Sequence, residues 1–138
     1  MFREDFVWGV ASSAYQVEGT DAADGRGACV WDMFAADGRV FEHQNADTSC
    51  DHMHHYKEDI ALMKHLGIRA YRFSLNWARI LPEGTGRVNE KAIAMYRDMI
   101  LTMKENGITP YLTLFHWEFP QALYERGGWQ NPDVVQWF

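Results

Sequence analysis

The stretch Gly67-Ile68-Arg69-Ala70-Tyr71-Arg72-Phe73-Ser74-Leu75-Asn76-Trp77 returns forty positions on as Gly107-Ile108-Thr109-Pro110-Tyr111-Leu112-Thr113-Leu114-Phe115-His116-Trp117. Gly, Ile, Tyr and Trp fall in the same places in both copies. A fixed period of this size points to a repeated supersecondary unit. Each copy follows a segment that reads as a helix. Residues 51–66 contain neither Gly nor Pro, and Tyr56, Ile60, Met63 and Leu66 recur at three- and four-residue spacing, giving one apolar stripe. Residues 89–106 repeat the design with Ile93, Tyr96, Ile100 and Met103. Asp51 and Asn89 stand where N-caps belong, and Gly67 and Gly107 where a helix needs a left-handed terminating residue. The β-branched and aromatic runs 71–75 and 111–115 then read as strands.

Helix, glycine and strand, twice over, is the pattern of parallel βα units. At the N-terminal side, residues 6–11 are apolar and read as a preceding strand, continued toward Tyr15-Gln16-Val17-Glu18-Gly19. A Gly/Asp/Ala-rich link over residues 19–49 leads to the first long helix. Near the other end, Asn131-Pro132-Asp133 reads as a further helix start, with Pro at the first turn. Three such units, the third unfinished, leave a parallel sheet with two open edges. A doubly wound sheet would carry a Gly-rich first turn, and Gly25-Arg26-Gly27 lacks the third glycine and the strand–helix setting. A (β/α)8 barrel takes about 250 residues. The expected fold is therefore α/β, the first three βα units of a TIM barrel, incomplete at 138 residues and forming part of one domain over 1–138.

Composition agrees and excludes several functions. The chain is 47% apolar and 23% charged, enough for a core and against disorder. No apolar run approaches a bilayer span. The start at Met1 lacks the build of a signal peptide, so a cytoplasmic location is expected. A net charge of −6, without any Lys/Arg cluster, argues against nucleic acid and anionic membranes as partners. Cys29 and Cys50 are too few for a disulfide framework and are expected as thiols. Cys50-Asp51-His52-Met53-His54-His55 has metal-ligand residue types. On a helix these side chains fan around the axis, and only Cys50 with His54, or Asp51 with His54 and His55, share a face. Neither a metal nor a cofactor is expected.

Function in such barrels gathers at the C-terminal ends of the strands. Those ends carry Gln16 and Glu18, then Ser74-Leu75-Asn76-Trp77-Ala78-Arg79, then His116-Trp117-Glu118. Hydroxyl-rich ligands need donors and acceptors together. Gln and His supply both, and an indole N–H adds a donor beside an apolar face. The competing reading is that these are capping and packing groups.

At these residues the chain resembles family 1 glycoside hydrolases, the β-glucosidases. The stretch Phe6-Val7-Trp8-Gly9-Val10-Ala11-Ser12-Ser13-Ala14-Tyr15-Gln16-Val17-Glu18-Gly19 is similar to that family's N-terminal signature. Ala70 to Pro82 resembles its second-strand motif. Thr113 to Leu123, with Gly127-Gly128-Trp129, resembles its third-strand motif. The resemblance implies that Gln16, His116 and Trp117 bind sugar hydroxyls in the −1 subsite. It also implies that Arg72 lies beside the nucleophilic glutamate and keeps it ionised and oriented. Glu118 departs from the Asp usual after His-Trp. The Cys50 stretch resembles a family segment that holds no catalytic metal. The reaction implied is retaining hydrolysis of terminal β-D-glucosyl residues from a β-glucoside or oligosaccharide, by an acid/base and a nucleophile about 5–5.5 Å apart. In the family these lie in Thr-Asn-Glu-Pro and Glu-Asn-Gly motifs after the fourth and seventh strands, and neither is present in that setting here. Glu105-Asn106-Gly107 spells the second but ends a helix, and Glu18 with Glu118 is not read as the catalytic pair. The alternatives are a 6-phospho-β-glycosidase of the same family and an inactive partial chain that self-associates through its open edges.

Overall fold

The computed structural model describes residues 2–20 and 22–138. Met1, the start on which the leader reading rests, and Asp21 of the link lie outside the described residues.

Three strands, β1 (Gly9–Ala11), β2 (Ala70–Ser74) and β3 (Thr109–Thr113), form one parallel sheet in the order β1-β2-β3. Ala11 pairs with Arg72, and Arg72 with Tyr111. The helical elements are α1 (Ala14–Val17), α2 (Val30–Ala36), α3 (His52–His65), α4 (Trp77–Ile80), α5 (Glu90–Glu105), α6 (Gln121–Tyr124) and α7 (Val134–Trp137). The long helices α3 and α5 are the crossovers that parallel strands require.

Both crossovers end alike. The Gly67 N–H donates to Lys64 O and the Ile68 N–H to Met63 O; the Gly107 N–H donates to Lys104 O and the Ile108 N–H to Met103 O. These are Schellman closures with φ of +75° and +74° at the two glycines. Nothing lies within 4 Å of a Cβ added at either position, so backbone angle alone calls for glycine.

Alternation along β2 sends Tyr71 and Phe73 into a core with Met53, Ile60, Tyr96, Met99, Met103 and Ile108. A second cluster joins Trp77, Phe119 and Leu123 beneath the loops at the C-terminal ends of the strands.

Several elements depart from the sequence reading. Strand β3 starts two residues early, at Thr109, because an edge strand tolerates Pro110. The run after β1 bends into the helical turn α1, so Gln16 and Glu18 sit on a turn and not in an extended strand. Helix α2 arises inside the link. Its first turn is closed by a capping box in which the Cys29 N–H donates to Asp32 Oδ2 at 2.7 Å. The buried stripe of α5 is Ala92, Tyr96, Met99 and Met103, rotated from the expected one, and Ile93 and Leu66 are exposed. Asp51 and Asn89 occupy N-cap positions without capping through their side chains; Asn89 Nδ2 donates instead to Asp24 O. The last short helix has Asp133 at its N-cap position without a side-chain cap, and Asn131 Oδ1, two residues earlier, accepts the Asp133 N–H.

The face of the sheet opposite the helices carries Ala70, Arg72 and Ser74 from β2 and Thr109, Tyr111 and Thr113 from β3. It mixes small and polar side chains with the half-exposed Tyr111 ring. Exposed apolar side chains also lie at the edges. Ile93 and Leu101 of α5 and Leu112 of β3 border a groove of about 260 Å³. Phe2, Phe6 and Trp8 pack on one another beyond β1.

Candidate active site

The turns after β1 and β3 open into one cavity of about 630 Å³, lined among others by Tyr15, Gln16, Trp31, Gln44, His116 and Trp117. The three residues singled out as sugar ligands, Gln16, His116 and Trp117, thus share one wall space.

Each is held by identifiable partners. The α1 turn carries Gln16 outward while its neighbours are tied inward. The Ala14 N–H donates to Ser74 Oγ at 2.7 Å, and the Tyr15 N–H to Glu118 Oε1 at 2.9 Å. Glu18, two residues on, is fully committed. Its Oε2 accepts from Arg79 Nε at 3.1 Å and its Oε1 from the Tyr96 hydroxyl at 2.6 Å. Burial pushes the Glu18 carboxyl up, and the Arg79 guanidinium and the Tyr96 hydroxyl pull it back. Arg79 also donates to Gly19 O at 2.8 Å.

Arg72, mid-strand in β2, places Nη1 3.3 Å from His116 Nδ1 and 3.4 Å from Ser12 O. A guanidinium only donates, so Nδ1 must accept and the imidazole proton sits on Nε2. His116 is thereby fixed as a donor at its free nitrogen. Trp117 is 70% exposed and adopts φ +78°, a left-handed backbone that costs a bulky residue about 1–3 kcal/mol. It is held there by its successor. Glu118 is 1% exposed, and the Phe119 N–H closes back on Trp117 O at 2.8 Å. Burial raises the Glu118 carboxyl, opposed first by the Tyr15 amide.

The rim expected from sequence therefore divides. Gln16, His116 and Trp117 face the cavity. Glu18, Asn76, Trp77, Arg79 and Glu118 are buried and structural: Asn76 Oδ1 accepts the Arg79 N–H at 3.2 Å, and Trp77 Nε1 donates to Gly84 O at 2.9 Å. Glu105 ends α5, at the opposite end of the sheet from the cavity.

Residues that sequence reasoning missed come from the link. Trp31 of α2 stands 6.2 Å from the Tyr15 ring, and Gln44 lines the same space. The available signal was a Trp and two amides, Gln44 and Asn45, in an otherwise Gly/Asp/Ala-rich stretch. The Tyr15 hydroxyl is pushed up to about 12, chiefly by burial and then by Asp32, and so stays a neutral donor.

The histidine-rich start of α3 is taken up by carboxylates. His52 Nδ1 lies 2.5 Å from Asp59, His54 Nδ1 2.6 Å from Asp51, and His55 Nδ1 2.8 Å from Glu58. Cys29 is buried, Cys50 exposed, and both are free thiols.

The chain matches glycosyl hydrolase family 1 over residues 1–138. It is 49% identical to beta-glucosidase A of Thermotoga maritima and 46% identical to beta-glucosidase A of Acetivibrio thermocellus, each across 99% of this chain and 31% of the relative. The chain thus spans about a third of the length of these relatives. In three dimensions it matches a family 1 β-glucosidase from Thermotoga maritima with TM-score 0.95 and 48% identity, covering 99% of this chain and 32% of that one. That enzyme in complex with deoxynojirimycin gives TM-score 0.94. The open three-stranded sheet is accordingly the opening portion of an α/β barrel, and the chain belongs to glycosyl hydrolase family 1.

Proposed function

We propose that this chain supplies part of the −1 subsite of a retaining β-glucosidase acting on terminal non-reducing β-D-glucosyl residues. The observation that carries this reading is the shared opening of Gln16, His116 and Trp117 into one cavity, while the carboxylates beside them are turned inward. Gln16 offers both an acceptor and a donor to sugar hydroxyls. His116 Nε2–H and the Trp117 indole N–H add donors, and the indole face covers the apolar C–H side of a pyranose. Arg72, behind His116, is the cation that would hold a nucleophilic carboxylate ionised as it attacks the anomeric carbon. Both that nucleophile and the acid/base come from outside the 138 residues, so the chain alone is inactive.

Two measurements test this. Deoxynojirimycin titrated into 15N-labelled chain should move the resonances of Gln16, His116 and Trp117; shifts confined to other parts of the chain would refute the site. Pure chain should leave a nitrophenyl β-glucoside uncleaved, and turnover abolished by Glu118→Gln would overturn the role given to the buried carboxylates.

A second reading, self-association through the open edges, is favoured by the apolar groove between α5 and β3. Sedimentation equilibrium tests it: a species heavier than 16.0 kDa supports it, and a monomer at all concentrations rejects it.

A further inference from the structure

Strands β1 and β3 are not neighbours, because β2 lies between them. The turn bearing Gln16 follows β1, and the turn bearing His116 and Trp117 follows β3. Their spacing is therefore set largely through β2. Ser74 holds the first turn at Ala14, and Arg72 holds the second at His116. Among the described residues, one side chain joins the two turns without passing through β2. Glu118 belongs to the second turn by its backbone and to the first by its carboxylate, which accepts the Tyr15 N–H at 2.9 Å, one residue before Gln16.

Glu118 is 1% exposed and does not line the cavity, so it cannot reach a ligand there. Its Oε2 is buried without a hydrogen-bond partner. A buried acceptor left unsatisfied is costly, and an apolar residue would fill the same volume without that penalty. The charged and titratable groups felt around it are His116, on its own turn, and Glu18, across the α1 turn. Glu18 is already neutralised by Arg79, which leaves the Glu118 carboxylate free to act on the Tyr15 amide.

We propose that Glu118 is a positioning residue that fixes the spacing between Gln16 and the His116–Trp117 turn, and through it the fit of a hexose ring. The fit to a hexose rests on the sugar-site reading; the strut itself does not. A displacement of about 1 Å in such a site is enough to change affinity or rate markedly.

The test is NMR on the 15N-labelled chain without ligand, in wild type, Glu118→Gln and Glu118→Asp. In the wild type the Tyr15 amide proton should follow the Glu118 titration as pH is raised. Glu118→Gln keeps the length, so it should abolish that pH response and leave Gln16, His116 and Trp117 near their wild-type positions. Glu118→Asp is one methylene short. It should speed exchange of the Tyr15 amide by about tenfold and shift Gln16, His116 and Trp117 together, while Ile60 and Phe73 of the main core stay in place. A pH-independent Tyr15 amide in the wild type overturns the proposal. So does a Glu118→Asp spectrum in which Tyr15 moves alone, or in which the core moves as much as the two turns. Deoxynojirimycin added afterwards separates the two readings. No response in the wild type rejects the sugar site and leaves the ligand-free arm to decide on Glu118. Binding in the wild type should weaken about tenfold in Glu118→Asp, and unchanged affinity overturns the link from spacing to fit.

Discussion

Replacing Arg79 by Met is the most demanding test of how the α1 turn is held. Arg79 is 1% exposed, and it donates to Glu18 at 3.1 Å, to Gly19 O at 2.8 Å and to the half-exposed Asp24 at 3.3 Å. The Asp24 contact is solvated and contributes little. Removing the guanidinium strands a Glu18 carboxylate that is 4% exposed, with Tyr96 as its remaining partner. Breaking a buried pair by deleting one member costs about 3–5 kcal/mol. For a domain stable by about 5–15 kcal/mol that is a large share. With a urea dependence of about 2 kcal/mol/M, the midpoint should fall by about 2 M. The loss should also depend on pH, with a definite sign. Burial already raises the Glu18 carboxyl, and losing Arg79 raises it further. Below the ordinary value of about 4.3, Glu18 carries a proton in both folded and unfolded variant, so only the lost hydrogen bonds are felt. As pH climbs past it the unfolded chain ionises while the folded one resists, and the variant weakens relative to wild type until the raised folded value is passed. The double variant Glu18→Gln/Arg79→Met buries no charge, so it should recover part of the loss and show no such slope. Urea unfolding followed by Trp fluorescence at several pH values decides it. Equal losses in single and double variants, flat with pH, would refute this account of the pair.

Further outcomes are expected. Gln16→Ala and His116→Ala should abolish deoxynojirimycin-induced shifts while changing stability by less than about 0.5 kcal/mol for the exposed Gln16; calorimetric titration and thermal melts check both halves. Leu112→Lys, at the rim of the groove between α5 and β3, should shift any self-associated chain toward 16.0 kDa by sedimentation equilibrium, and an unchanged distribution would move the contact elsewhere. The Cys29 thiol is pushed up to about 11, chiefly by burial and then by Asp32, so near pH 8 it holds almost no thiolate. Ellman's reagent should titrate Cys50 alone in native protein and both thiols in denaturant.

Much of this architecture was legible because its signals are local. Gly67 and Gly107 announce left-handed helix ends, and the two Schellman closures show why the echo between them is structural repetition and not coincidence. The stripe of α3 at Tyr56, Ile60 and Met63 was legible for the same reason, while Leu66, already past the helix end, turned outward. What escaped depends on long-range partners. Ser13 and Gln16 have the spacing of a capping box, but the α1 turn is held instead by Ser74 and Glu118, and these lie 60 and 103 residues away in sequence. Helix α2 is short and capped by a cysteine, a residue no helix-start rule favours. The division of the rim was equally hidden. Nothing in the spacing separates Gln16, which faces the cavity, from Glu18, which meets Arg79 and Tyr96 in the interior.

The backbone of Trp117 sets a conflict between durability and use. Its φ of +78° is one that glycine would adopt without strain. Selection for a sturdier chain alone would favour glycine there, since little of the indole is buried to compensate. A tryptophan at such an angle costs folding stability that its exposed ring does not return through burial. On the sugar-site reading proposed above, the strained backbone aims the indole at the cavity before any ligand arrives, so less ordering is left to each encounter.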